Sequence, residues 1–184
     1  ALDPVMEAST SGGSATAIGL HSFAIGAGTS VDTNYGVAIQ HSNVTGNSGI
    51  GIGRTSRCEA SQCTAVGYDA DALGIASSAY GRYSQATASY STAIGFSTEA
   101  TSTSSTAVGY NTTATGTSSS AFGSGANASA TSSSAFGSST MASHHYSTAI
   151  GYLATTDKTN QIVLGTSSDE VTIKGMGVVD QDLS

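Results

Sequence analysis

The sequence predicts an all-β fold, a parallel β-solenoid (β-roll) of 14-residue coils with two short strands per coil, and three observations carry that prediction. First, a triplet of Ala, a large apolar residue and Gly recurs at Ala65-Val66-Gly67, Ala79-Tyr80-Gly81, Ala93-Ile94-Gly95, Ala107-Val108-Gly109, Ala121-Phe122-Gly123, Ala135-Phe136-Gly137 and Ala149-Ile150-Gly151, every interval being 14 residues. Second, a midway row (Ala72, Ala86, Ala100, Ala114, Ala128, Ala142) comes seven residues after each triplet Ala. Third, 108 of the 184 residues are Gly, Ala, Ser or Thr and only 30 are Leu, Ile, Val or Phe, too few bulky apolar side chains to fill one compact core. A register held this strictly rejects disorder and reads as a repeat architecture.

In chain order, residues 1–13 read as an N-terminal lead-in, residues 14–165 as the repeats of the roll, and residues 166–184 as a C-terminal cap or transition segment. Ala17-Ile18-Gly19 is an extra triplet half a period ahead of Ala24-Ile25-Gly26, and Ala38-Ile39-Gln40 comes 14 residues after the latter. The step from Ala38 to Gly51 is 13, a one-residue deletion; Gly51-Ile52-Gly53 then opens the regular series that Val163-Leu164-Gly165 closes. A coiled coil is rejected, because the large apolar residue sits beside Ala and before Gly, a poor helix former, whereas Ser, Thr and β-branched residues favour strands.

Side chains alternate across a strand. The triplet strand therefore sets Ala93 and Gly95 on one face and Thr92, Ile94 and Phe96 on the other. The midway strand sets Ala100 and Ser102 on one face and Glu99 and Thr101 on the other, so it forms a wall with one side fit for water. The triplet strand has no such side. One of its two faces, Ala/Gly or Ile/Val/Phe/Tyr, packs on the midway wall, and the other calls for cover by an identical neighbour. Which of them lines the oligomer axis is open at this point, and the Ala/Gly ladders let walls approach closely. One buried Ala contributes on the order of 1 kcal/mol or less, so stability comes from many stacked copies in an obligate oligomer. About eleven coils at about 4.8 Å make a rod about 50 Å tall.

Composition excludes several classes. Twelve acidic and five basic residues, a net charge of −7 and no Lys/Arg cluster exclude a nucleic-acid partner. No run of 18 apolar residues occurs, so no membrane insertion by this segment is expected. The opening ALDPVMEAST lacks a secretory signal pattern and reads as an intracellular chain or a processed piece of a longer one. From Ala100 to Thr156 there is no Asp, Glu, Lys or Arg, and the serines lack a His and an acid at a recurring spacing, so no enzyme is expected. Gly123-Ser124-Gly125 precedes no helix that would cradle a phosphate, and the calcium-binding glycine repeat is missing; no cofactor and no metal is expected.

Ser91-Thr92-Ala93-Ile94-Gly95, Ser105-Thr106-Ala107-Val108-Gly109 and Ser147-Thr148-Ala149-Ile150-Gly151, with a loop and a second Ala-containing half after each, resemble the head repeat of the YadA-like trimeric adhesins over about residues 14–165. The resemblance implies a left-handed parallel β-roll homotrimer, extracellular display and adhesion. The neck motif, stalk and membrane-anchoring barrel usual in that family are not seen. Instead, Thr159 to Gly165 and the alternating Glu170-Val171-Thr172-Ile173-Lys174-Gly175 resemble the segments that succeed such repeats in phage and viral fibres. Asp180-Gln181-Asp182-Leu183-Ser184 resembles the sequence before the cut of self-cleaving tail-fibre chaperone domains.

Candidate sites are few. Arg54, Arg57, Arg82, Tyr83, Tyr90 and Tyr146 break the small-polar monotony, and Tyr and Arg are favoured at binding hot spots, although Tyr is also a routine strand residue. Cys58 stands at a midway Ala position and Cys63 at the Ser position before Ala65; a disulfide closing the four-residue loop between them and two reduced, buried thiols are both open readings. Asp69 and Asp71 form a solvated pair or hold a cation. His144 and His145 interrupt a small-residue row, as an exposed loop or as imidazoles gathered in a trimer for an anion or metal. The function expected is a non-enzymatic adhesive fibre head on a bacterial cell surface or a virion or phage tail fibre, attaching by avidity to a host or prey cell-surface glycan or protein. A structural spacer with binding elsewhere is the alternative. An ice-binding solenoid is disfavoured because Gln62, Ala76, Tyr90, Ser104, Ser118, Ser132 and Tyr146 do not form a Thr ladder.

Overall fold

A computed structural model describes residues 6–8 and 13–172, and in it the chain winds two parallel sheets around a shared interior. Among the described residues the triplet segments form a twelve-stranded sheet, here sheet A, running from Met6–Ala8 to Ile162–Leu164. The midway segments form the ten-stranded sheet B, from Thr16–Ala17 to Met141–Ala142, and among the described residues there is no helix. Successive strands of each sheet lie one coil apart: Thr92, Ala93 and Ile94 pair in parallel with Thr106, Ala107 and Val108, and these with Ser120, Ala121 and Phe122. Ala17 belongs to sheet B, which explains the extra triplet half a period early. Met6–Ala8 pairs with Phe23–Ile25, so sheet A reaches back into the first thirteen residues.

The deletion lies in one turn. Ala38 pairs with Gly51 and Val31 with Val44, both 13 apart, and between them Gln40 and His41 take consecutive positive φ values of 65° and 63°. A regular coil spreads the same reversal over a Gly and a second left-handed residue two positions later, as at Gly67 and Asp69. One coil loses the residue between and keeps the strand register.

The interior holds small side chains only. Ala93, Ala107, Ala121, Ala135 and Ala149 from sheet A and Ala100, Ala114, Ala128 and Ala142 from sheet B are fully buried. Val31, Val44 and Cys58 are the larger members of the sheet B row. Several of the buried Ser and Thr two residues before these rows bond to turn carbonyls, as Ser91 Oγ donates to Ala88 O at 2.6 Å and Ser133 Oγ to Ala130 O at 2.7 Å, whereas the hydroxyls of Ser77, Thr98 and Ser119 have no partner within the described residues. The glycine that ends each regular triplet is a requirement of stacking. Gly95 has φ +131°, and a Cβ there would stand 1.8 Å from the carbonyl oxygen of Gly109 in the next coil.

Outward faces differ between the sheets. Sheet B presents Arg57, Asp71, Gln85, Glu99, Thr113 and Asn127. Sheet A presents a file of bulky apolar side chains: Tyr80, Ile94, Phe122, Phe136, Ile150 and Leu164 are exposed, Ile94 by 40%. Glu170, Val171 and Thr172 come after the last strand without regular structure. Ile173-Lys174-Gly175 and the terminal Asp180 to Ser184 lie outside the described residues.

Candidate functional site

Residues three positions after the triplet Ala stand where sheet A gives way to the turn toward sheet B, Phe96 and Tyr110 still at the ends of their strands, and the 14-residue register stacks them into one column. From Arg54 the column reads Arg54, Tyr68, Arg82, Phe96, Tyr110, all exposed, before it falls to Ser124 and Ser138. Tyr83, next to Arg82 and left-handed at φ 60°, leans into the same column. The rings of Tyr68 and Tyr83 meet edge to face at 5.6 Å, Tyr83 and Phe96 at 5.9 Å, and Phe96 stacks on Tyr110 at 5.3 Å with planes 10° apart. The Arg82 guanidinium lies 4.7 Å from the Tyr83 ring centre, 5.4 Å from Tyr68 and 5.7 Å from Phe96, while Arg54 lies 5.6 Å from Tyr68. Arg82 Nη2 also donates to the Tyr83 hydroxyl at 3.1 Å.

Three of the residues singled out in the sequence, Arg54, Arg82 and Tyr83, thus come together, and Tyr68, Phe96 and Tyr110 join them. Arg57 is elsewhere. On the outer face of sheet B its Nε and Nη2 donate to the two carboxylate oxygens of Asp71 at 2.7 and 2.9 Å, and Nη1 donates to Glu59 at 3.2 Å. The Asp71 hydrogen bonds hold the Arg57 guanidinium above its ordinary range against partial burial. Asp71 is thereby engaged, and Asp69 sits in the preceding turn, exposed and left-handed at φ 56°. Tyr90 and Tyr146 project from the opposite turn, 56 residues apart along the chain, both exposed and left-handed. They do not meet.

Cys58 and Cys63 are joined by a disulfide inside the roll, with Cα atoms 5.5 Å apart and both residues fully buried. His144 is half-buried, its Nδ1 3.1 Å from the Thr156 carbonyl oxygen and 3.3 Å from Ser143 Oγ, while His145 is exposed beside Tyr146. Among the described residues no group of His, Cys, Asp and Glu is arranged to hold a metal. An open groove of about 540 Å³ crosses the opposite turn near the deletion, lined by Asp32, Asn34, Asn47, Glu59, Ser61 and Ile75 among others. Its walls are polar and shallow. The aromatic–arginine column is the site that concentrates recognition chemistry.

The comparisons with known proteins fit this geometry. The YadA head domain repeat matches residues 72–98, 86–112, 100–126, 114–140 and 128–154, each match spanning two coils. Among solved structures, the collagen-binding domain of the Yersinia adhesin YadA superimposes with a TM-score of 0.58 at 27% sequence identity, covering 92% of this chain and 80% of that one. No curated protein matches the sequence.

Proposed function

On the premise that this chain is a YadA-like adhesin head, with residues 72–154 made of its repeats, we propose that it works as a homotrimeric, surface-displayed attachment head for a host or cell-surface ligand. The observation that carries the reading is the roll itself, shared over 92% of the chain with a collagen-binding adhesin domain. A stiff scaffold of stacked coils presents the same side-chain column at fixed spacing, and three copies convert weak single contacts into useful avidity. Collagen is the first ligand to try, because the relative binds it. The proposed work is contact, with no chemical step.

Trimer formation rests on the apolar file of sheet A. Tyr80, Ile94, Phe122, Phe136 and Ile150 line up along the rod, an uninterrupted apolar strip of a kind monomeric proteins rarely leave in water. Two further copies of the same chain supply a matching strip at matching rungs. Display outside the cell suits the Cys58–Cys63 disulfide, which oxidising compartments preserve. The test is adhesion of the purified chain to immobilised collagen and to whole cells. Binding to either supports the head; binding to neither favours the spacer, in which the roll only holds other parts at a distance.

A further inference from the structure

We infer that the Arg54–Tyr68–Arg82 column with its Tyr83 and Phe96 flank is a binding strip for an acidic polysaccharide lying along the rod axis, one whose carboxylates recur on alternate sugars. This inference rests on the adhesive reading above and names the ligand class it would serve.

The first support is charge that is left over. The chain carries five basic residues against twelve acidic ones. Arg57 is neutralised by Asp71 and Glu59. Arg54 and Arg82 have no ion pair among the described residues; Glu59 and Asp71, the acidic residues nearest to them in sequence, are both bonded to Arg57. The rings hold both guanidinium groups by cation–π contact, and among the described residues only one of the Arg82 N–H groups is spent, on Tyr83. Such a guanidinium is pre-organised and still offers its donors to a carboxylate, the partner its planar fork fits best.

The second support is spacing. Arg54 and Arg82 stand two coils apart with Tyr68 on the rung between. At the strand spacing of a sheet this separates the two cations by about 10 Å. A nucleic acid presents charge far more densely, with a phosphate about every 3.4 Å of each strand, and would need many more cations than this acidic chain has. An extended acidic peptide repeats its side chains on one face about every 7 Å, out of step with the two arginines. A pyranose unit is close to one rung in length, so a polymer acidic on every second sugar brings one carboxylate to each arginine. The uncharged sugar between then lies across the exposed side of Tyr68.

The test uses the full chain over immobilised hyaluronan, with neutral dextran and polyglutamate as controls. Binding to hyaluronan is expected to exceed binding to both controls, to fall with added salt as exposed charge pairs are screened, and to drop about tenfold in an R54Q/R82Q double variant. Tyr68→Ser is expected to weaken it while leaving sedimentation unchanged. Equal binding to hyaluronan and dextran, or no response to R54Q/R82Q, overturns the inference. So does loss of the oligomer in that variant, which would reassign the column to a contact between chains. Failure on hyaluronan with retained adhesion to collagen or cells sinks only the ligand class; failure on all three surfaces sinks the adhesive reading with it.

Discussion

Alanine placed at two different glycines separates backbone strain from stacking. Gly95 and Gly125 both have positive φ, +131° and +66°. At Gly125 an added Cβ finds its nearest neighbour, Ser139 Oγ, at 3.7 Å. Other coils already place Ser97 or Asp69 in that left-handed role, so Gly125→Ala costs about 1 kcal/mol. At Gly95 the region is nearly glycine-only, a strain of about 1–3 kcal/mol. The Cβ also lands 1.8 Å from the Gly109 carbonyl oxygen, which must retreat by more than an ångström to reach ordinary contact at 3.4 Å. That shift disturbs neighbouring rungs such as Asn111 N–H to Phe96 O at 2.9 Å and Ser97 N–H to Arg82 O at 3.0 Å, each contributing about 1 kcal/mol. Gly95→Ala thus loses about 3–5 kcal/mol in all. For a chain of this size, about 2–4 °C per kcal/mol makes the fall in Tm about 6–20 °C, against about 4 °C or less for Gly125→Ala. Thermal unfolding recorded by circular dichroism, at one chain concentration because an oligomer's Tm depends on it, reads the difference. Equal shifts for the two variants would refute the stacking argument.

The same packing sets further outcomes. Ala107→Leu forces three heavy atoms into a gap sized for a methyl and is expected to destabilise by about 1–3 kcal/mol or more, read by denaturant unfolding. Phe122 is 36% exposed in the single chain; covering the rest of its ring contributes about 2 kcal/mol per chain. Phe122→Ser should therefore raise the concentration at which three copies dissociate by about a hundredfold, since that concentration follows the square root of the trimer's dissociation constant, read by a dilution series in the ultracentrifuge. Thiol titration of the denatured, unreduced chain should find no free cysteine, and reduction should cost about 2 kcal/mol for so short a loop. Arg57→Gln should change stability by less than about 1 kcal/mol, since its partners lie on an exposed face.

The architecture was legible because the interior is a column problem. Ala65 to Ala149 and Ala72 to Ala142 repeat at one interval because each must meet its own kind in the next coil, where nothing larger fits. The Arg57–Asp71 pair lies on that same interval and was readable from it, as was the column Arg54, Tyr68, Arg82, Phe96, Tyr110; both go unseen when outliers are considered singly. The left-handed turns at Tyr83, Tyr90 and Tyr146 carry no such signal, because tyrosine has no preference for positive φ. Backbone bonds from one coil to the next impose it there, as Tyr90 N–H donates to Ile75 O at 2.8 Å. Met6–Ala8 was illegible for a related reason: Met6-Glu7-Ala8 has no small–large–Gly pattern, yet an edge strand needs only backbone to pair.

The most direct measurement is sedimentation equilibrium of the purified chain at micromolar concentration. A species of three chain masses is expected, because the apolar file of sheet A has no cover of its own. A folded, heat-resistant single chain at that dilution would contradict it.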